Sequence, residues 1–190
     1  QLQVRGWRPG IVSRGYGGAL SGPVRVDPAG HTAADVGDEP LMMAAQVPVI
    51  VSRERVEGAA LARAQGATVA LLDDGFQNPA LIKDASLIVI DAARGIGNGC
   101  VFPAGPLRAP LPPQIARTDA LIVIGAGKAA DGIATSARTS GASVLRARLV
   151  PDQASLDQLR GQRVLAFAGI GDPARFFATL RSSGVDVIEE

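Results

Sequence analysis

Residues 68–78 read TVALLDDGFQN, an apolar stretch that runs straight into two adjacent carboxylates, Asp73 and Asp74, and then a glycine. An uninterrupted apolar run of this length suits a strand covered on both faces, as in a parallel sheet. The acid pair then falls at the carboxyl end of the strand, where open α/β sheets bind their ligands. Working outward, further short apolar runs recur at residues 10–13, 47–51, 87–91, 121–124, 143–147, 164–168 and 185–188. Ala-rich helical stretches lie between them at 39–46, 54–65, 129–140 and 173–183. In the second of these, Val56, Ala60, Leu61 and Ala64 are expected to form the buried face, with Gly66 at the C-terminal cap. In the fourth, Asp172 is placed to cap, Pro173 suits the first turn, and Phe176, Phe177 and Leu180 supply the apolar stripe. Alternation of this kind predicts an α/β fold with a mostly parallel, doubly wound sheet.

Size and composition bound what that sheet can belong to. With 190 residues, the chain has room for one domain, or one domain and part of another. Hydrophobic residues at 47% and charged ones at 19% make a globular balance, which argues against disorder. Nineteen basic residues against eighteen acidic ones leave no charge excess that would call for nucleic acid. A single cysteine, Cys100, excludes an internal disulfide, and with the single His31 it excludes a Cys/His zinc cluster. No apolar run approaches the roughly 20 residues that span a bilayer. The alternating segment around residues 143–149 suits a half-exposed strand leading out of the core. The expected division is therefore a core α/β domain over 1–142, then a linker strand and the start of a second, smaller α/β domain over 143–190. The chain opens on Gln1 in what reads as the last turn of a helix, so the core is expected to lack its N-terminal part.

Three strand-end segments carry residues suited to chemistry. Asp73 and Asp74 are placed to hold Mg²⁺ beside nucleotide phosphates, although Asp-Asp-Gly is equally a turn signal. In GDEPLMMA, Asp38 and Glu39 precede a helix whose first turn contains Pro40. Asp38 is then either an N-cap with Glu39 complementing the helix dipole, or a carboxylate that takes a hydroxyl proton. In SRGYGG, which follows the first strand, Arg14 and Tyr16 offer a cation and an aromatic face. The Gly- and Pro-rich stretch 92–118 reads as a long ordered loop, uncommon in compact domains and often functional, and it carries Arg94 and Arg108. Two glycine-rich segments fail as nucleotide motifs. Gly125-Ala126-Gly127-Lys128 lacks the first glycine of a phosphate loop and has Ala129 where Ser or Thr belongs, and AGIGDP lacks the third glycine of a dinucleotide fingerprint. His31 lies in a polar loop, and Cys100 has no local base.

Taken in order, SRGYGG, GDEPLMMA, DDGFQNP, DAARGIGNG, FPAGPLRAP and FAGIGDPARFFATL resemble the tetraacyldisaccharide 4'-kinase family of lipid A biosynthesis, across nearly the whole chain. The resemblance implies a P-loop-NTPase-like enzyme at the cytoplasmic face of the bacterial inner membrane. It would use ATP and Mg²⁺ to phosphorylate the 4'-hydroxyl of a tetraacyldisaccharide 1-phosphate, giving lipid IVA. It makes Asp38 the base, with Glu39 beside it in the metal and phosphate environment. Asp73 and Asp74 become the Mg²⁺ ligands with Gln77 nearby, and Arg14, Arg94 and Arg108 become contacts to phosphate or substrate. The family's phosphate-binding loop, its N-terminal anchor and a C-terminal histidine motif are not in this sequence, and Ala109 stands where some relatives carry an acid. The resemblance therefore implies a kinase in the full-length parent and an inactive central piece here. The alternative is a non-catalytic α/β module that binds a phosphorylated ligand, though adjacent carboxylates repel an anion unless a metal intervenes. A dehydrogenase-like domain is a weaker third reading.

Overall fold

The computed structural model describes residues 1–189. A short 3₁₀ turn at Gln3–Arg5 leads into β1 (Pro9–Ser13), followed by β2 (Val24–Arg25), α1 (Ala33–Val36), α2 (Asp38–Ala44), β3 (Val49–Val51), α3 (Arg55–Ala64) and β4 (Val69–Leu72). Next come β5 (Leu87–Asp91), α4 (Leu111–Ile115), β6 (Ala120–Ile124), α5 (Asp131–Thr139) and β7 (Ser143–Ala147). The last elements are α6 (Gln153–Leu159), β8 (Arg163–Leu165), α7 (Pro173–Ser182) and β9 (Asp186–Glu189).

The chain is an α/β protein whose strands are mostly parallel. They fall into three sheets: β2-β3-β1-β4, then β5-β6-β7, then β8-β9. Among the described residues, only the β2–β3 pairing is antiparallel. Among the described residues, the outer edges of β4 and β5 have no strand partner. In β5 the exposed residues alternate with covered ones, Leu87 and Val89 at 53% and 59% against Ile90 at 7%, so one face of that strand is left without a covering layer, and Leu71 of β4 is 40% exposed. Burial on both faces holds for β3, which is buried throughout, and for most of β1.

Each sheet has its own apolar core. Val36, Val49 and Val51 pack on one side of the first, and Val12, Ile50 and Ala62 on the other. Leu121, Val123, Ile133 and Ala137 centre the second. Leu156, Ala166, Leu180 and Val185 form the third, with Phe177 packed against them. Three helices stop in the same way. The N–H groups of Gly66 and Ala67 bond back to Arg63 and Ala62, and the pairs Gly141/Ala142 and Gly184/Val185 do the same behind α5 and α7. This doubly bonded ending satisfies carbonyls that the last helical turn leaves without a partner.

The structure departs from the sequence reading in several places. The buried residues of α3 are Arg55, Gly58 and Ala62, while Val56, Ala60 and Ala64 are exposed. The helix lies so close to β1 and β3 that a Cβ on Gly58 would sit 2.7 Å from Val12 and 2.8 Å from Ser52. At Gly58, small size rather than hydrophobicity selects the contact face. Asp172 does cap α7, accepting the N–H of Arg175, and Leu180 is buried, but Phe176 remains 38% exposed. β8 ends at Leu165, short of the expected residue 168, where its register with β9 shifts. Helices α1, α4 and α6, of 4, 5 and 7 residues, are additions to the expected elements, and α4 lies in the Gly- and Pro-rich stretch 92–118.

Candidate functional site

β1 and β4 run side by side and parallel, so their carboxyl ends emerge together. At that end, Ser13 Oγ donates to Asp73 Oδ2 at 2.9 Å, and Asp73 N–H donates to the Val12 carbonyl at 3.1 Å. The guanidinium of Arg55, on a residue only 5% exposed, lies behind this junction. Its Nη1 donates to the Val12 carbonyl and its Nη2 to the Asp73 carbonyl, each at 2.6 Å. Burial lowers the pKa of Arg55, the charge of Asp73 pulls it back up, and Arg14 adds a small repulsion. A buried cation that spends its donors on main-chain carbonyls is satisfied without consuming the carboxylate beside it.

The next residue completes the turn. Asp74 has φ of +50°, a left-handed conformation that Asp tolerates better than most residues. Its carboxylate accepts from Arg108 Nη2 at 2.9 Å, an exposed ion pair that ties the loop between β5 and α4 to the acidic turn.

Asp38 and Glu39 open α2, next to the loop that leaves β1. The loop leaving β1 lies directly on the junction of α1 and α2, where Ala19 and Leu20 N–H groups bond to Ala34 and Asp35 carbonyls. Gly37, between the two helices, is buried with φ of +90° and ψ of 153°, a region essentially reserved for glycine. A Cβ there would lie 2.6 Å from the Tyr16 carbonyl. The N-cap position is therefore taken by Gly37, and the N-cap reading of Asp38 is corrected. Asp38 is the first residue of α2, exposed, with its Oδ1 accepting the Glu39 N–H at 3.0 Å. Glu39 is exposed beside it.

The other predicted residues divide between this site and elsewhere. Arg14 is exposed on the loop after Ser13. Gln77 donates to Gln114 Oε1 of α4 at 3.0 Å, and the buried Gln114 in turn donates to the Ala109 carbonyl. Arg94 lies elsewhere, 3.0 Å from Asp172 and bonded to the Gly171 carbonyl. Sequence reading missed Ser13 and Arg55. A serine closing an apolar strand beside a second strand that ends in Asp was a usable signal for the first. Nothing local in RVEGAALARA marks Arg55 as buried.

On donor chemistry the turn suits Mg²⁺, which prefers oxygen, takes one or two carboxylates and keeps several waters. Asp73 and the Ser13 hydroxyl offer such oxygens, and Asp74 adds another when Arg108 is displaced. Among the described residues, no group of three or more His, Cys, Asp or Glu side chains forms a ready-made metal cage. No helix among them is long and apolar enough to cross a membrane.

Comparison with known proteins agrees with the resemblance. The family model described as Tetraacyldisaccharide-1-P 4'-kinase matches residues 1–190. A tetraacyldisaccharide 4'-kinase of Rhodopseudomonas palustris (strain ATCC BAA-98 / CGA009) is 71% identical over 189 residues, covering 100% of this chain and 56% of the relative. Proteins of the same name from Nitrobacter winogradskyi and Bradyrhizobium sp. (strain BTAi1 / ATCC BAA-1182) are 67% and 65% identical, again over 100% of this chain and 56% and 55% of the relatives. No solved structure matches. The chain thus spans a little over half the length of the curated relatives it matches, and it belongs to the tetraacyldisaccharide-1-P 4'-kinase family.

Proposed function

We propose that this chain is the catalytic middle of an ATP-dependent kinase that phosphorylates the 4'-hydroxyl of a tetraacyldisaccharide 1-phosphate to give lipid IVA. The observation that carries the reading is the meeting, at the end of β1, of the Ser13–Asp73 contact with the loop that packs on Gly37 and so sets Asp38. In the reaction, an oxygen–phosphorus bond forms between the sugar hydroxyl and the γ-phosphorus, the bond to the β-phosphate oxygen breaks, and ADP leaves. Asp38 accepts the hydroxyl proton, and its tether to the Glu39 N–H limits the directions it can face. Asp73 and Asp74 would hold Mg²⁺, which would supply positive charge against the phosphates. Arg55 keeps the Asp73 main chain in place from behind. Arg14 and Arg108 supply cations at the phosphate side, and Glu39 and Gln77 border the same region. Arg94 lies apart from this region, beside Asp172 and the Gly171 carbonyl. The working location is the cytoplasmic face of the inner membrane, where an acylated substrate is reached.

The activity belongs to the longer protein, and this 190-residue chain alone is expected to be inactive. The test is ATP-dependent phosphorylation of the lipid disaccharide by a full-length relative and by this chain. Replacing the residue matching Asp38 with Asn in the full-length enzyme should cost about 10²–10⁴ in kcat with little loss of stability. Full activity in that variant overturns the role of Asp38, and robust turnover by this chain overturns its inactivity.

A further inference from the structure

The turn closing β6, Gly125-Ala126-Gly127-Lys128, is not a phosphate loop, and the structure gives it a different occupant. Gly125 has φ of +84°, and a Cβ on it would lie 3.2 Å from Nη2 of Arg175. A side chain at position 125 would therefore crowd the space taken by a guanidinium from α7. Through Nη1 the same guanidinium donates to Oδ2 of Asp91, the last residue of β5. Asp91 Oδ1 accepts the N–H groups of Ala93 and Arg94 at 2.8 and 3.1 Å. Arg94 then reaches the other way, with Nη2 3.0 Å from Asp172 Oδ2 and 3.3 Å from the Gly171 carbonyl. Asp172 caps α7 by accepting the Arg175 N–H at 3.2 Å.

The two sides mirror one another. Each presents an Asp followed three residues later by an Arg, Asp91 with Arg94 and Asp172 with Arg175. In each pair the Asp accepts its own Arg's main-chain N–H while the Arg side chain crosses to the opposite Asp. The carboxylates are thus held by local backbone bonds before the arginines arrive, so little extra ordering is needed for the ionic contacts to form. We propose that this reciprocal Asp/Arg clasp docks the unit containing β8, α7 and β9 onto the carboxyl ends of β5 and β6, with the Gly125 turn as the seat for Arg175. The loop that carries Arg94 also carries Arg108, which pairs with Asp74, so the clasp fixes one end of a strap whose other end touches the candidate site.

The chain supplies its own probe position, because Cys100 is its single cysteine and is exposed on that same loop. Spin labels on Cys100 and on a cysteine introduced by Ser182→Cys at the end of α7 report the distance between the two units. A narrow distribution is expected for the otherwise unaltered chain. Arg175→Ala should broaden it at least twofold, as should Asp91→Asn, which leaves α7 untouched. The double variant should be no broader than either single one, because both remove one contact. Arg94→Ala should broaden it further when added to either. An unchanged width in Asp91→Asn, or additive broadening in the Asp91/Arg175 double variant, overturns the proposal.

Discussion

Two strands from different sheets, β4 and β5, lead into an aspartate at their carboxyl ends, and the two aspartates are treated in opposite ways. Asp73, just past β4, receives a hydroxyl from Ser13, while the nearby cation, Arg55, spends its donors on main-chain carbonyls. Asp91, closing β5, is bonded by two backbone N–H groups and then paired with Arg175. The first carboxylate keeps oxygen capacity for a ligand, whereas the second is committed to holding the protein together. Position at a strand end therefore does not make an acid a site residue. What separates Asp73 from Asp91 is where the adjacent arginine spends its donors, on the backbone behind the first and on the carboxylate of the second.

The largest expected effect tests the arginine that spares its carboxylate. Arg55→Ala leaves the Val12 and Asp73 carbonyls without their charged donor at a buried position. A loss of about 3 kcal/mol is expected in urea unfolding. A loss under about 1 kcal/mol would mean that water replaces the guanidinium and that Arg55 is dispensable.

Gly37→Ala comes next. It forces a side chain into a backbone region where glycine alone is comfortable and against the Tyr16 carbonyl, with an expected cost of about 2 kcal/mol. Thermal unfolding measures that cost. An unperturbed variant would show that the loop after β1 does not depend on this junction, which would detach Asp38 from Asp73.

The third test is acid titration of stability. The N–H groups of Ala93 and Arg94, followed by Arg175, hold the Asp91 carboxyl below the usual carboxylate range. A lowered native pKa contributes stability that is complete above the unfolded value, near about 4, and is lost as pH falls through the native one. Asp91→Asn should therefore flatten the acid side of the stability–pH curve and leave its shape near neutrality unchanged. The smallest effect is expected at Arg108, whose pair with Asp74 is exposed on both sides. Arg108→Gln should change stability by less than about 0.5 kcal/mol, so any larger effect on kinase activity in a full-length relative would report function.

Much of the fold was legible because it rests on local patterns. Strands β5 and β7 fall on their expected residues, and β1, β4 and β6 lie within one residue of them. Capping of α7 by Asp172 followed from Asp-Pro at a helix start, since each residue suits one position only. The face of α3 was not legible. Hydrophobic weighting favours Val56 over Gly58, whereas the tight crossing over β1 favours the residue without a side chain. Among the candidate residues, the Asp73–Asp74 turn was readable from an apolar run ending in acids. The different fates of Arg55, Arg94 and Arg108 were not, because an arginine's role depends on partners dozens of positions away.

The bare outer edge of β4 has a practical consequence for handling the protein. Among the described residues, its peptide groups on that side have no strand to bond, and Ala70 and Leu71 lie exposed on the same short strand. An unpaired apolar edge of this kind can pair with an extended backbone, another molecule of the same chain included. Purified by itself at high concentration, the protein should scatter light increasingly with time, and a lysine in place of Leu71 should slow that clouding.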